Sequence, residues 1–252
     1  VSFSSNGDDL TGNMTVIFLN KKGTVSENFI LSESRLQEVT TNYVSRFSSD
    51  ANEEIAMEEI GFLDIFDLNE IQEIQDSFSY ATGVASLITD ANGDPITKPT
   101  NFCNLCNDVI RKTDKGRANC LHSDSIIGRK NLDGPIVQPC LSGGLWDAGA
   151  SINIGDRHIG NWLIGQILDE NADIEKLVGY AREIGADETE YRQALGKVKR
   201  MPVAKFRSIA ESLYVIANQL SAKAMLVVLQ AKELSERKKV EDQLRLTQER
   251  LR

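Results

Sequence analysis

Four cysteines, Cys103, Cys106, Cys120 and Cys140, follow the spacing Cys-x2-Cys-x13-Cys-x19-Cys. Cys103 and Cys106 are three apart at an expected helix start, so both thiols can point at one ion, while Cys120 and Cys140 arrive from the next helix and from a strand end. Four thiolates suit zinc, a closed-shell ion that accepts a tetrahedral sulfur cage, and four Cys also hold an iron–sulfur cluster. Only one close pair is present, where the strongest zinc patterns have two. The alternative is that they are small buried hydrophobes, the ordinary role of free Cys. Oxidation or metal loss at these thiols would make the chain a redox or metal sensor. A third possibility, a thiol enzyme, would pair Cys120 with His122.

The same stretch holds a second set of candidates. Trp146, Asp147, Ser151, His158, Asn161, Trp162 and Gln166, with His122, supply an aromatic wall, amides and a carboxylate on or beside expected strands. A pocket for a small, mostly apolar molecule with one or two hydroxyls needs that combination. Strand alternation puts Asn161 and Leu163 on one face and Trp162 and Ile164 on the other. Singly, each has a plainer role: Trp162 as core, Asn161 and Gln166 at turns or strand ends, His122 and His158 as hydrogen-bonded structural residues. No Gly-x-Ser-x-Gly nucleophile frame, phosphate-binding Gly-Lys loop or dinucleotide fingerprint occurs, so no catalytic residue is assigned.

The elements that must position these residues are an α+β set. Asp67 caps a helix carrying Leu68, Ile71, Ile74 and Phe78 that ends at Gly83. Val84–Thr89 reads as a strand, Asp90–Asp94 as a turn and Pro95–Thr97 as the return strand. Helices are expected over 101–111 and 116–130, strands at 136–138, 148–154 and 158–168 around a Gly155-Asp156-Arg157 turn, and helices over 173–184 and 188–195. The sum is one antiparallel sheet of about five strands with helices on one face, a PAS/GAF-like layout. Upstream, 14–19 and 24–31 suggest a hairpin, Ser34 and Gln37 cap a helix, and 48–54 reads as a linker.

No Gly or Pro interrupts Val203 to Arg252, which predicts a helix far longer than a globular core needs. Leu213, Ile216, Leu220, Ala224, Val227, Ala231 and Leu234 follow coiled-coil steps, and Val240, Leu244, Thr247 and Leu251 continue in another phase. This predicts a parallel homodimer through the C-terminal helix. The domains are accordingly 1–60, an appendage; 61–200, the α+β domain; and 201–252, the projecting coiled-coil helix.

A net charge of -9 and a pI near 4.9 argue against a nucleic-acid or anionic-membrane partner. No apolar stretch is expected to insert in a membrane. The cysteines are expected to be reduced, in a cytoplasmic setting. Val1 in place of Met, and an end within a helical repeat, predict a fragment of a longer chain.

Three motifs in order, Gly116-Arg-Ala-Asn-Cys-Leu-His-Ser-Asp124, Gln138-Pro-Cys-Leu-Ser-Gly-Gly-Leu-Trp-Asp-Ala-Gly149 and His158-Ile-Gly-Asn-Trp-Leu-Ile-Gly-Gln166, resemble the PocR sensory domain, with the resemblance running from about Ile65 to Leu220. Leu141 stands where some relatives have His. The resemblance implies a PAS-like domain that senses small organic molecules, such as short diols or simple hydrocarbon derivatives, upstream of an output module. Leu234–Glu241 resembles the linker that leads from PAS domains to a histidine kinase of a two-component system.

Overall fold

The computed structural model describes residues 17–19, 25–28 and 60–251. The helix expected from Ser34 and the linker at 48–54 lie outside the described residues. Strands β1 (Ile17–Leu19) and β2 (Val25–Asn28) pair antiparallel, as the hairpin signal predicts. Gly61–Met225 forms one compact unit.

That unit opens with α1 (Phe62–Ile65) and α2 (Leu68–Thr82). Asp67 accepts the Asn69 and Glu70 N–H groups at the start of α2, and Gly83 ends it at φ 69°, the left-handed conformation that costs glycine little. Next come β3 (Ala85–Thr89), a π-helix (Leu105–Ile110), α3 (Asp114–Ile127), β4 (Ile136–Pro139), β5 (Trp146–Ile154), β6 (Arg157–Ile167), α4 (Ile174–Ile184), α5 (Glu188–Leu195) and α6 (Val203–Arg250). Asp173 and Asp187 cap α4 and α5, and Gly185 closes α4.

The sheet has four antiparallel strands in the order β3-β6-β5-β4, not five. Segment 95–100 meets β3 in two isolated bridges, Thr89 to Pro95 and Ser86 to Thr100, between which the Ile96 and Thr97 N–H groups both donate to the Ile88 carbonyl. Pro95 and Pro99 remove two backbone donors, so no continuous ladder can form. The Thr97 hydroxyl accepts the Ile88 N–H instead, at 2.9 Å.

Helices cover both faces of the sheet rather than one. Trp162, fully buried, meets Phe78 of α2 edge-on at 5.6 Å. On the opposite face α3 lies so close that a Cβ on Gly149 would stand 2.6 Å from the Ile127 carbonyl, which is why glycine is needed there.

The helix α6 runs 48 residues, about 72 Å at 1.5 Å per residue. Its first part belongs to the domain, because Phe206, Ala210, Leu213, Ala217, Leu220 and Ala224 are buried and Ser221 Oγ accepts the Asn153 N–H at 2.9 Å. Three residues assigned to the dimer seam, Leu213, Leu220 and Ala224, therefore serve this chain's own core. The compact unit runs through them to Met225. An 18-residue window of α6 reaches a mean hydropathy of 1.4, enough by length and composition for a membrane span and contrary to the sequence expectation. A third of that window is buried.

A thiol-lined pocket at a strained bulge

Asp147 on β5 stands opposite two residues of β6, because the register shifts between Trp146, paired with Ile167, and Ala148, paired with Ile164. This β-bulge turns the strand and re-aims its side chains. The Gln166 N–H donates to Asp147 Oδ1 at 2.7 Å. A Cβ on Gly165 would fall 2.0 Å from the same oxygen, so only glycine lets the carboxyl fold over the bulge. Gln166 itself has φ 59°, a left-handed conformation that costs a non-glycine residue about 1–2 kcal/mol. Its side-chain carbonyl accepts the Cys103 N–H at 2.7 Å.

Beside the bulge lies a cavity of about 40 Å³. Ala85, Ser86 and Leu87 of β3 and Leu163 to Gln166 of β6 form one wall. Phe102, Cys106 and Arg111 come from the π-helix region, and Cys120, Asp124 and Ile127 from α3; Cys140 and Asp147 complete it. A π-helix widens one turn, a device often found at functional sites. Here it carries Cys106 and leads straight into Arg111.

The polar groups of the cavity are strongly biased by burial. Arg111 Nη2 donates to Asp124 Oδ2 at 2.8 Å, both side chains are mostly covered, and Arg111 Nε is buried without a partner. The Arg111 guanidinium also lies 5.4 Å from the centre of the Phe102 ring. Burial raises the Asp124 carboxyl against the opposing pull of Arg111. Burial lifts Asp147 further, to about 7, although the Gln166 N–H favours its charged form.

All four cysteines gather here as free thiols, and each is within electrostatic reach of Asp147. Cys103 and Cys106 share a hydrogen bond, which lowers the first thiol and raises the second well above the ordinary range. Cys120 and Cys140 are raised mainly by burial, and they hydrogen-bond Ser142 and Ser123 at 3.4 Å. Next to this group the Tyr191 hydroxyl is buried with no partner, and Tyr180 bonds both Ser142 and Asn119 at 2.8 Å. Among the described residues, no three His, Cys, Asp or Glu side chains stand where they would hold a metal ion.

Of the ligand candidates chosen from sequence, Asp147 and Gln166 line the cavity. Trp162 does not: it is core, and its indole N–H donates to Ser86 Oγ at 2.9 Å. Asn161 is buried and donates to Thr89 Oγ1 and the Asp90 carbonyl. Ser151 accepts from Asn153, His158 Nε2 lies 3.0 Å from the Gly160 carbonyl, and Trp146 stacks beneath Arg207. His122 is exposed while Cys120 is buried, since residues two apart on a helix face different ways; that separates the pair a thiol enzyme would need. Arg111, Asp124 and Phe102 were missed. The available signal was Asp124 four residues after Cys120, on the same face of α3.

The site is thus a small, partly open pocket between an antiparallel sheet and helices. The model of the PocR family, described as a sensory domain found in PocR, matches residues 64–225, more than half of the chain, and the chain belongs to that family. No curated protein and no solved structure matches it.

Proposed function

We propose that this domain is a non-catalytic sensor of PAS-like design whose ligand is a small, uncharged organic molecule such as a short diol. The carrying observation is the cavity itself. Its 40 Å³ corresponds to roughly three water-sized sites, which admits only a few heavy atoms. Its charges are internally compensated: Asp124 answers Arg111, and burial favours the neutral form of Asp147. A ligand with its own charge would find no unpaired counter-charge, whereas hydroxyls can use Arg111 Nε, Asp147 and Gln166.

Binding transmits a signal only if it favours one of two packings. In this proposal the bulge and the π-helix differ between them, and α6 carries the difference to a second copy and to an output module, most simply a histidine kinase. Titration with 1,2-propanediol and its homologues, followed by calorimetry, tests the pocket. Asp147→Asn and Arg111→Met should each weaken binding about tenfold; unchanged affinity in both would overturn the assignment.

A second reading is favoured by one observation: Cys103, Cys106 and Cys140 all act electrostatically on the Tyr191 hydroxyl, which is buried without a hydrogen-bond partner. In it, the cysteines rearrange around a structural zinc, or an iron–sulfur cluster. Elemental analysis of protein purified without added metal decides, because one tightly bound zinc, or about two or four irons with matching sulfide, per chain supports this reading and the absence of both removes it.

A further inference from the structure

Outside the proposed pocket, the exposed end of α6 carries an apolar stripe, Lys223 is half-buried, and Cys103 and Cys106 form a close sequence pair. The stripe belongs to the assembly already proposed. Lys223 is lowered to about 8, chiefly by burial, but no cavity or cluster accompanies it. The thiol pair has geometry behind it.

Cys103 and Cys106 lie in one helical turn, closed by the Asn107 N–H on the Cys103 carbonyl at 3.0 Å. Residues three apart on such a turn face the same way, at a separation a disulfide can span after a small shift. Cys103 precedes the π-helix, where the backbone has latitude to supply that shift. The Cys106 side chain, with the Leu105 and Cys106 N–H groups, lowers the Cys103 thiol against the opposing effect of burial. Cys120 and Cys140 instead have serine hydroxyls as hydrogen-bond partners. The two members differ in place: Cys106 lines the cavity, and Cys103 is partly exposed outside that lining.

We infer that Cys103 and Cys106 are a dithiol that exchanges with small disulfides, and that closing their disulfide draws the Cys106 sulfur out of the pocket wall. In the first step the Cys103 sulfur attacks a disulfide RSSR, forming Cys103–S–SR and releasing RSH, which takes the proton. In the second, the Cys106 sulfur attacks the Cys103 sulfur of that mixed disulfide and expels the second RSH. The protein loses two hydrogens and RSSR becomes two thiols, so no further oxidant is required. The exchange stands on the thiols alone; its consequence for sensing rests on the proposed ligand pocket.

The test equilibrates the whole chain with oxidised and reduced glutathione in graded ratios, traps free thiols by alkylation, and maps the peptides. A single intramolecular bridge between Cys103 and Cys106 is expected. Cys106→Ser should accumulate glutathione on Cys103, and Cys103→Ser should take up about tenfold less. Oxidation that reaches Cys120 or Cys140 first, a pair that stays reduced throughout, or equal uptake by the two variants overturns the exchange. The second arm measures iodoacetamide labelling of Cys140, which should be several-fold faster in the bridged chain because the wall has opened. An unchanged rate overturns the coupling to the pocket. Neither arm uses a diol, so a failure here is distinguishable from failure of the ligand reading.

Discussion

The Gln166 side chain accepts the Cys103 backbone N–H at 2.7 Å, joining residues sixty-three apart in sequence. One amide thereby fastens the strained bulge of β6 to the entry of the π-helix.

Replacing Gln166 separates its two roles. Gln166→Ala and Gln166→Gly both lose the bond to Cys103, at about 1–2 kcal/mol. Only alanine also retains the cost of the left-handed backbone, so the glycine variant should be the more stable by about 1 kcal/mol. Denaturant titration of the two measures this, and the opposite order would contradict the assigned conformation.

Asp147 should make stability depend on pH. Its carboxyl titrates near 7 in the fold and near 4 when unfolded, so the native chain holds the proton more tightly. The resulting stabilisation is complete below about pH 4 and is lost as pH rises through 7, on the order of 2–4 kcal/mol in all. Asp147→Asn keeps an acceptor for the Gln166 N–H and should flatten that slope. Thermal melts from pH 5 to 8 that remain parallel in wild type and variant would refute the burial assigned to Asp147.

Trp162 is core rather than ligand contact. Trp162→Phe leaves Ser86 without its indole donor and a void against Phe78, costing about 1–3 kcal/mol. The affinity of the folded chain for 1,2-propanediol should be unchanged. A tenfold loss would put the ring in the pocket after all.

Dimerisation must be tested on the part of α6 that this chain does not itself bury. Leu220 and Val227 are buried, so aspartate there would unfold the chain by stranding charges. Val240, Leu244 and Leu251 are 63%, 59% and 83% exposed. Changing those three to Asp should convert a dimer to a monomer in sedimentation without lowering the melting temperature of the domain. A wild-type monomer at high concentration, or a variant that still dimerises, would reject the helix seam.

Local signals made much of the fold legible in advance. Asp67, Asp173 and Asp187 cap helices with their own side chains, Gly83 and Gly185 end them at positive φ, and Gly155-Asp156 turns β5 into β6. Each is an interaction among residues a few positions apart, so the amino-acid order is enough to specify it. Residue type likewise singled out Asp147, Gln166 and the four cysteines, since carboxyl, amide and thiol groups are the side chains able to contact a ligand or metal.

What the order of residues could not show was which groups share a space. Strand alternation made Trp162 and Asn161 as eligible as Gln166, and only the bulge at Gly165 turned Gln166 and Asp147 to the cavity while α2 closed over Trp162. Arg111 and Asp124 join across thirteen residues because the π-helix and α3 meet there. In α6, the periodicity of Leu213, Leu220 and Ala224 determined that an apolar face exists. A helical face is apolar in the same way whether a sheet or a second helix covers it, so the tertiary structure alone decided that this one belongs to the domain's own core.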